Sequence, residues 1–542
     1  MMPLQLSRAN GNAGAARTSH LLDILEDGAS GNGTVHFISD ERDPTSIADL
    51  WRAAEQSARW IAAKFGAGAT IAMVLMNTRA CVTALFGAWR AGCSVASLPL
   101  PARGMSSDVY SDQLRRFCMA ADAAGLLLDP TFAQQFSNLG ASVHAFDETL
   151  SGGPALGTER DGALIQFTSG SLGAPKGIYL GLEAVGTHVA AIISALDPTV
   201  GDASCSWLPL SHDMGLIGQL LSPVAAGAPR FGHHSLTLMK PETFMTSPRS
   251  WLRTCSEKRA TISVAPNFAL DLAVRANRKG SDLDLSRLRS IIVGSESVRS
   301  ETLNRFAETF EQAAFRPIAF CPAYGLAEAT LAVTIVRPDE MWHSIPRPLS
   351  TPLLGDLSGD LVSTGFPLEG TAVRVAAPAG SVGAIEISSP SLLSRYLGAE
   401  LCLAPDGYFI TGDVGLIHDG ELYIVGRGDE VIVVSGTNVY PNDIEAEVHH
   451  PSIRRGCIAA VAGPGGGLAI VVEPNGRLSD DELRAACRDI RRAVVTETGC
   501  SPSTVAFLSR GALPKTPSGK LKRLAIGSLL AANDAFLVRV DF

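Results

Sequence analysis

The densest chemistry in the chain lies at 167–177, Phe-Thr-Ser-Gly-Ser-Leu-Gly-Ala-Pro-Lys-Gly, directly after a strand-like apolar run at 163–166. Its hydroxyls are Thr168, Ser169 and Ser171, its glycines Gly170, Gly173 and Gly177, and its one cation is Lys176. Glycines let backbone N–H groups come close to an anion, and the hydroxyls and Lys176 add donors and charge. This is the chemistry of a loop that cradles polyphosphate. It is not a Walker A loop, because Gly177 rather than Ser or Thr follows the lysine and the glycine spacing differs. A second cluster, 322–330 (PAYGLAEAT), offers the flat face of Tyr324 for a base and the carboxylate of Glu328 for Mg²⁺ beside phosphates. A third, 408–413 (YFITGD), ends in Asp413, whose carboxylate suits the two hydroxyl donors of a ribose; Gly426-Arg427-Gly428-Asp429 follows it. A fourth, 513–523 (LPKTPSGKLKR), sets Lys520 in a glycine-bearing turn.

These residues need a scaffold, and the apolar patterning supplies one. Helical periodicity at 46–65 and 80–91 alternates with short apolar runs at 70–76, 125–128, 262–265 and 290–293. Strand, helix, strand at this spacing predicts a parallel sheet with crossover helices. Past residue 361 the texture changes to short strand-like pieces at 372–375, 384–388, 408–411 and 421–425 between Gly/Pro turns, which predicts a β-rich subdomain. Beyond 426 the pattern is mixed again: a strand at 431–434, a helix at 442–449, strands around a glycine turn within 459–472 and an amphipathic helix at 480–495. The expected architecture is a large N-terminal α/β domain with a β-rich subdomain (1–426) and a small α+β domain (430–542), with the boundary at 427–429.

Composition bounds the function. The 542 residues are 46% hydrophobic and 18% charged, with 45 Lys+Arg against 54 Asp+Glu. That length accommodates two to four folding units with ample cores. Net acidity argues against sequence-independent nucleic-acid binding. No apolar run reaches the roughly 18 residues of a membrane span, since Arg79 and Arg90 interrupt the best candidate. The N-terminus has no apolar core of a secretory signal. The cysteines are scattered without a C-x-x-C, so reduced thiols and a cytoplasmic location are expected. Residues 430–542 hold 13 basic and 12 acidic side chains against 32 and 42 in 1–429. Their helix carries Arg484, Arg488, Arg491 and Arg492 on the side away from Leu483, Cys487, Ile490 and Val494. A solvated face is one reading, a docking face for an acidic partner the other.

In this order and at these separations, the four clusters resemble the adenylate-forming ligase superfamily from about residue 46 onward. Within it, 206–218 (SWLPLSHDMGLIG), 265–269 (APNFA), 324–330 and 438–445 (NVYPNDIE) resemble the fatty acyl-AMP ligase branch. That branch activates a carboxylic acid with ATP and passes the acyl group to the phosphopantetheine thiol of an acyl carrier protein rather than to free CoA. The resemblance implies that Thr168, Ser169, Gly170, Ser171 and Lys176 hold the β/γ-phosphates, Tyr324 stacks on adenine, Glu328 binds Mg²⁺ and Asp413 takes the ribose hydroxyls with Arg427 nearby. His212 would line the acyl entrance, Asp429 would be the hinge, and Lys520 would reach the carboxylate and α-phosphate. The carrier would act in trans, since the sequence stops at Phe542. Met214, Ile217, Phe268 and Leu331 stand equally as acyl-tunnel lining or ordinary core.

The sequence departs from the family at Leu172 (usually Thr), Ser211 (usually Tyr in this branch) and Ala384 (usually Glu). The stretch between Val333 and Gly365 resembles a shortened form of an insertion that, in this branch, hinders the CoA-accepting arrangement. An acyl-CoA ligase is therefore the alternative, and a non-catalytic nucleotide-binding relic the more distant one. The pairs His233-His234 and His449-His450 lack the ligand spacing of a metal site.

Overall fold

The computed structural model describes residues 5–6, 19–38, 44–101, 105–139, 142–157, 161–167, 176–277, 282–346, 360–434, 437–463, 467–498, 500–515, 521–532 and 537–540.

Continuous apolar runs form strands buried on both faces, as a parallel sheet requires. Thr70–Val74, Ser94–Leu98 and Gly125–Leu128 lie side by side in a seven-stranded sheet, parallel to Ala163–Phe167 and Val143–Ala145. Gly177–Gly181 and Arg395–Leu397 close one edge antiparallel. Helices cover this sheet. Ile47–Phe65 starts where the Ser46 hydroxyl accepts from the Asp49 backbone N–H, and it buries Ile47, Leu50, Ala54, Ala58 and Ile61 at helical spacing.

A nine-stranded sheet repeats the design. Ser290–Val293, Ile262–Ala265 and Ala203–Ser206 run parallel in its middle, flanked by Phe320–Gly325 and Ser235–Leu238. The 322–330 cluster is thus the end of a strand and a short turn (Ala327–Ala329) rather than a helix start. The β-rich part is an antiparallel sheet of Ala372–Val375, Gly383–Ser388, Phe409–His418 and Glu421–Arg427, with Gln5–Leu6 on its edge.

Residues 432–530 bury their apolar side chains in clusters of their own. Ile453–Ala462, Leu468–Pro474 and Thr504–Leu508 make a sheet on which Asp480–Thr498 packs through Ala486, Cys487, Ile490 and Val494. Tyr440 instead joins the cluster of Leu361, Leu416, Tyr423 and Val425. All ten cysteines are free thiols, and nine are buried. No helix among the described residues is long and apolar enough to cross a membrane.

Candidate active site

Open α/β sheets bind ligands beyond the carboxyl ends of their strands. Tyr324 stands at that end of Phe320–Gly325, beside a register shift between Tyr324 and Gly325. Its ring is buried, and its hydroxyl donates to Asp413 Oδ2 at 2.6 Å. Burial first, then the facing Asp413 charge, pushes the Tyr324 phenol well above its ordinary pKa, so it stays a donor. Asp413 and Arg427 are cross-strand neighbours, with Arg427 Nη1 3.8 Å from Asp413 Oδ1. Gly412 lies at φ +79°, a backbone conformation that favours glycine, and the Thr411 hydroxyl accepts from the Asp413 backbone N–H at 3.0 Å.

Four residues past Tyr324, the turn Ala327–Ala329 presents Glu328. Its Oε1 accepts from the Tyr396 hydroxyl at 3.0 Å, and Lys176 Nζ lies 3.6 Å from the centre of the Tyr396 ring. Tyr396 therefore joins the lysine that ends the 167–177 cluster to the carboxylate of the 322–330 cluster. Strand pairing builds this contact, since Tyr396 sits opposite Ile178. Nothing in the local sequence SRYLG marks Tyr396 for this place.

A second unanticipated residue is His188, buried in helix Leu182–Leu196. Its Nε2 accepts from the Ala332 backbone N–H at 3.0 Å, which assigns the proton to Nδ1, 3.1 Å from Ser391 Oγ. Burial lowers its pKa to about 3, so it is a neutral strut. Thr330 donates to the Ser391 carbonyl at 2.6 Å from φ +71°, a strained conformation for a β-branched residue. These bonds brace the Glu328 turn from behind.

His212 Nδ1 lies 2.6 Å from Asp213 Oδ1, just ahead of a π-helical stretch, Met214–Leu221, capped by Asp213. Such stretches recur at functional sites. Ile217 is fully buried core, Met214 is buried beside Ser295, and Phe268 and Leu331 are only half-buried.

Asp429 falls in the turn Gly428–Glu430. Glu430 pairs with Arg523, which also donates to Glu445 and Asn442. The turn is thereby tied to the start of helix Arg523–Ala532, three residues after Lys520. Asn442 in turn donates to Ser297 Oγ at 3.4 Å. Thr168, Ser169, Gly170, Ser171, Leu172 and Lys520 lie outside the described residues. Of the basic helix, Arg484 and Arg488 are exposed. Arg491 donates to the Pro502 carbonyl and Arg492 to Asp489.

Among the described residues no group of three or more His, Cys, Asp or Glu could hold a metal. His233 and His234 bond separately, to the Asn32 carbonyl and Ser204 Oγ. One carboxylate at Glu328 nevertheless fits Mg²⁺, which takes one or two carboxylates and completes its shell with water and substrate phosphate.

Residues 25–397 match the model of the AMP-binding enzymes. The chain is 34% identical over 400 residues to the medium-chain-fatty-acid–[acyl-carrier-protein] ligase JamA of Moorena producens, covering 67% of each. It is 30% identical to the 4-hydroxyphenylalkanoate adenylyltransferase of Mycobacterium tuberculosis, over 94% of this chain and 91% of the relative. It is 32% identical to the long-chain-fatty-acid–AMP ligase FadD32 of Mycolicibacterium smegmatis, over 67% of this chain and 68% of the relative. A solved structure from a study of fatty acyl-adenylate ligases of E. coli and L. pneumophila superposes with a TM-score of 0.86 at 26% identity, covering 96% of this chain and 99% of that one. The chain belongs to the AMP-binding, adenylate-forming enzymes, with fatty acyl-AMP ligases among its relatives and structural neighbours. It is an acyl-adenylate-forming ligase by family and fold.

Proposed function

We propose that this enzyme joins a carboxylic acid bearing an apolar tail to ATP, releasing pyrophosphate, and then hands the acyl group to the phosphopantetheine thiol of an acyl carrier protein acting in trans. The carrying observation is that one short segment, 324–328, is joined to two other motif clusters: Tyr324 donates to Asp413, and Glu328 accepts from Tyr396, whose ring lies against Lys176. We read the first contact as the ribose corner of a nucleotide site and the second as its phosphate corner.

The carboxylate of the acid attacks the α-phosphorus, and the bond to the pyrophosphate oxygen breaks. Two anions must meet for this. Lys176, the donors at 168–171 and Lys520 offset their repulsion and stabilise the charge that builds on the phosphate oxygens. In this assignment Asp413 orients the ribose, Arg427 lies beside it, Tyr324 flanks the adenine and His212 borders the acyl entrance. Bound at Glu328, Mg²⁺ would neutralise phosphate charge. The second step is thiol attack on the acyl carbonyl with AMP leaving. The small domain 430–542 would turn about Asp429 between the steps and withdraw Lys520. The names of the relatives support an acid with an apolar tail, and JamA supports the carrier as acceptor. A cytoplasmic location fits an ATP-consuming enzyme with free thiols.

Lys520→Ala tests the first step. Loss of a transition-state cation costs on the order of 3 kcal/mol, so pyrophosphate release with dodecanoate should fall by roughly a hundredfold or more. Equal rates in the variant and the parent would refute the reading. Offering CoA or a phosphopantetheinylated carrier to the preformed adenylate decides the acceptor.

A further inference from the structure

The small domain buries a carboxylate that no proposed step uses. Glu473, in strand Leu468–Pro474, is 2% exposed. Taking a carboxylate out of water is costly unless good partners hold it. Both of its oxygens are engaged. Oε2 accepts from Arg454 Nη1 at 2.5 Å, and Oε1 accepts from the Leu513 backbone N–H at 2.7 Å. The neighbouring strand, Ile453–Ala462, opens opposite it. Ile453 pairs with Pro474 and Ile458 with Val472, so residues 454–457 stand across from Glu473 alone. Such bulges re-aim side chains and gather beside functional sites. Gly456 sits in this one at φ +68°, a conformation that favours glycine.

What the carboxylate holds is a short platform, 513–515. Leu513 packs into the cluster of Cys457, Ala459, Val471 and Ile526 and gives its N–H to Glu473. Lys515 gives its ammonium to the Gly456 carbonyl, inside the bulge, at 2.6 Å. The returning chain is laid on this platform. Leu521 is the antiparallel bridge partner of Lys515, and the Lys522 N–H donates to the Pro514 carbonyl at 3.0 Å. Lys520 immediately precedes Leu521 in the chain, so whatever holds Leu521 holds the root of that lysine. Arg523, just beyond, is held separately by Glu430, Asn442 and Glu445.

We propose that Glu473 is a positioning residue for adenylate formation: by anchoring Leu513 and the 454–457 bulge it fixes the platform from which Lys520 is presented. It touches no reactant and acts through the lysine. This rests on the proposed role of Lys520 in the first step. An ammonium that must meet a carboxylate and an α-phosphate together loses much of its effect when it is misplaced by about 1 Å. A carboxylate suits the task because it takes an amide and a guanidinium donor at once, and charge-assisted hydrogen bonds are the strong ones. A merely structural Glu473 could be exchanged for an apolar side chain of like volume with an effect on stability alone.

Single-turnover pyrophosphate release with dodecanoate is measured per site. The sites are counted by titration with a non-hydrolysable acyl-sulfamoyl adenosine, which leaves unfolded protein out of the rate. Glu473→Met removes both acceptors. It should lower the rate constant about tenfold and keep the half-saturating ATP concentration within about twofold of the parent, because the loss falls on the transition state. Glu473→Gln keeps an oxygen for the Leu513 N–H and should recover most of that loss. In a Lys520→Ala background, Glu473→Met should cost nothing further, since both act through one group. A parental rate per site in the folded Glu473 variants overturns the inference. So does a loss that persists undiminished without Lys520. Either result, with Lys520→Ala itself slow, leaves the proposed function standing. A parental rate in Lys520→Ala removes both.

Discussion

Tyr324 donates its phenolic hydrogen to Asp413 across 2.6 Å, joining two motifs 89 residues apart in the chain. A hydrogen bond to a charged group is worth about 1.5–3 kcal/mol. Tyr324→Phe should therefore raise the KM for ATP by roughly tenfold while leaving the fold intact, and Asp413→Asn should do at least as much. If the two act through one bond, the double variant is no worse than Asp413→Asn. Purely additive losses in the double-mutant cycle would show that the pair does not work as a unit.

Tyr396 offers a ring to Lys176 and a hydroxyl to Glu328, and the two can be separated. Tyr396→Phe keeps the ring and removes the donor. The Mg²⁺ concentration for half-maximal rate should rise a few-fold, with little change in the KM for ATP at saturating Mg²⁺. Tyr396→Leu also removes the cation–π contact, worth about 0.5–2 kcal/mol, and should raise that KM as well. Identical behaviour of the two variants would remove Lys176 from the argument.

His188 sets a pH limit on stability. Its pKa is about 3 in the folded chain against an ordinary histidine value of 6.5. The unfolded chain takes up a proton as pH falls through 6.5, whereas the folded chain does not until about 3. The stability present above pH 6.5 is thus lost between those values, at up to about 1.4 kcal/mol per pH unit. His234, lowered to about 4 by burial, adds to the same loss. Melting temperature should fall steadily from pH 6.5 to pH 4, and His188→Gln should make that fall shallower while lowering the plateau. An unchanged slope in the variant would contradict the assignment.

Arg484 and Arg488 are the exposed cations left on the helix Asp480–Thr498 once Arg491 and Arg492 are engaged locally. Reversing both to Glu should slow acyl transfer to an acidic carrier by about tenfold at low salt and leave pyrophosphate release unchanged. The difference should shrink at high salt, where exposed charges are screened. Transfer at the parental rate would exclude this face from docking.

Local patterning was a good guide wherever a segment decides its own structure. The runs at 125–128, 262–265, 290–293 and 372–375 are strands with those bounds, and the helical period at 46–65 is the helix Ile47–Phe65. The motifs also singled out Tyr324, Glu328, Asp413 and Arg427, and the structure sets Tyr324 against Asp413 and Asp413 across from Arg427. The helix expected at 442–449 runs Pro441–Glu447, and the piece expected at 408–411 belongs to the longer strand Phe409–His418. Strand ends depend on pairing with a neighbour, which local sequence does not contain.

The sequence by itself determined the class of chemistry and the alternation of elements, since both follow from residue type and short-range period. Only the tertiary structure decided which groups meet. Strand pairing puts Tyr396 between Lys176 and Glu328, and burial makes His188 a neutral brace against Ala332. Each of those contacts joins positions far apart along the chain, and a bond between distant residues has no period or spacing for a sequence to display.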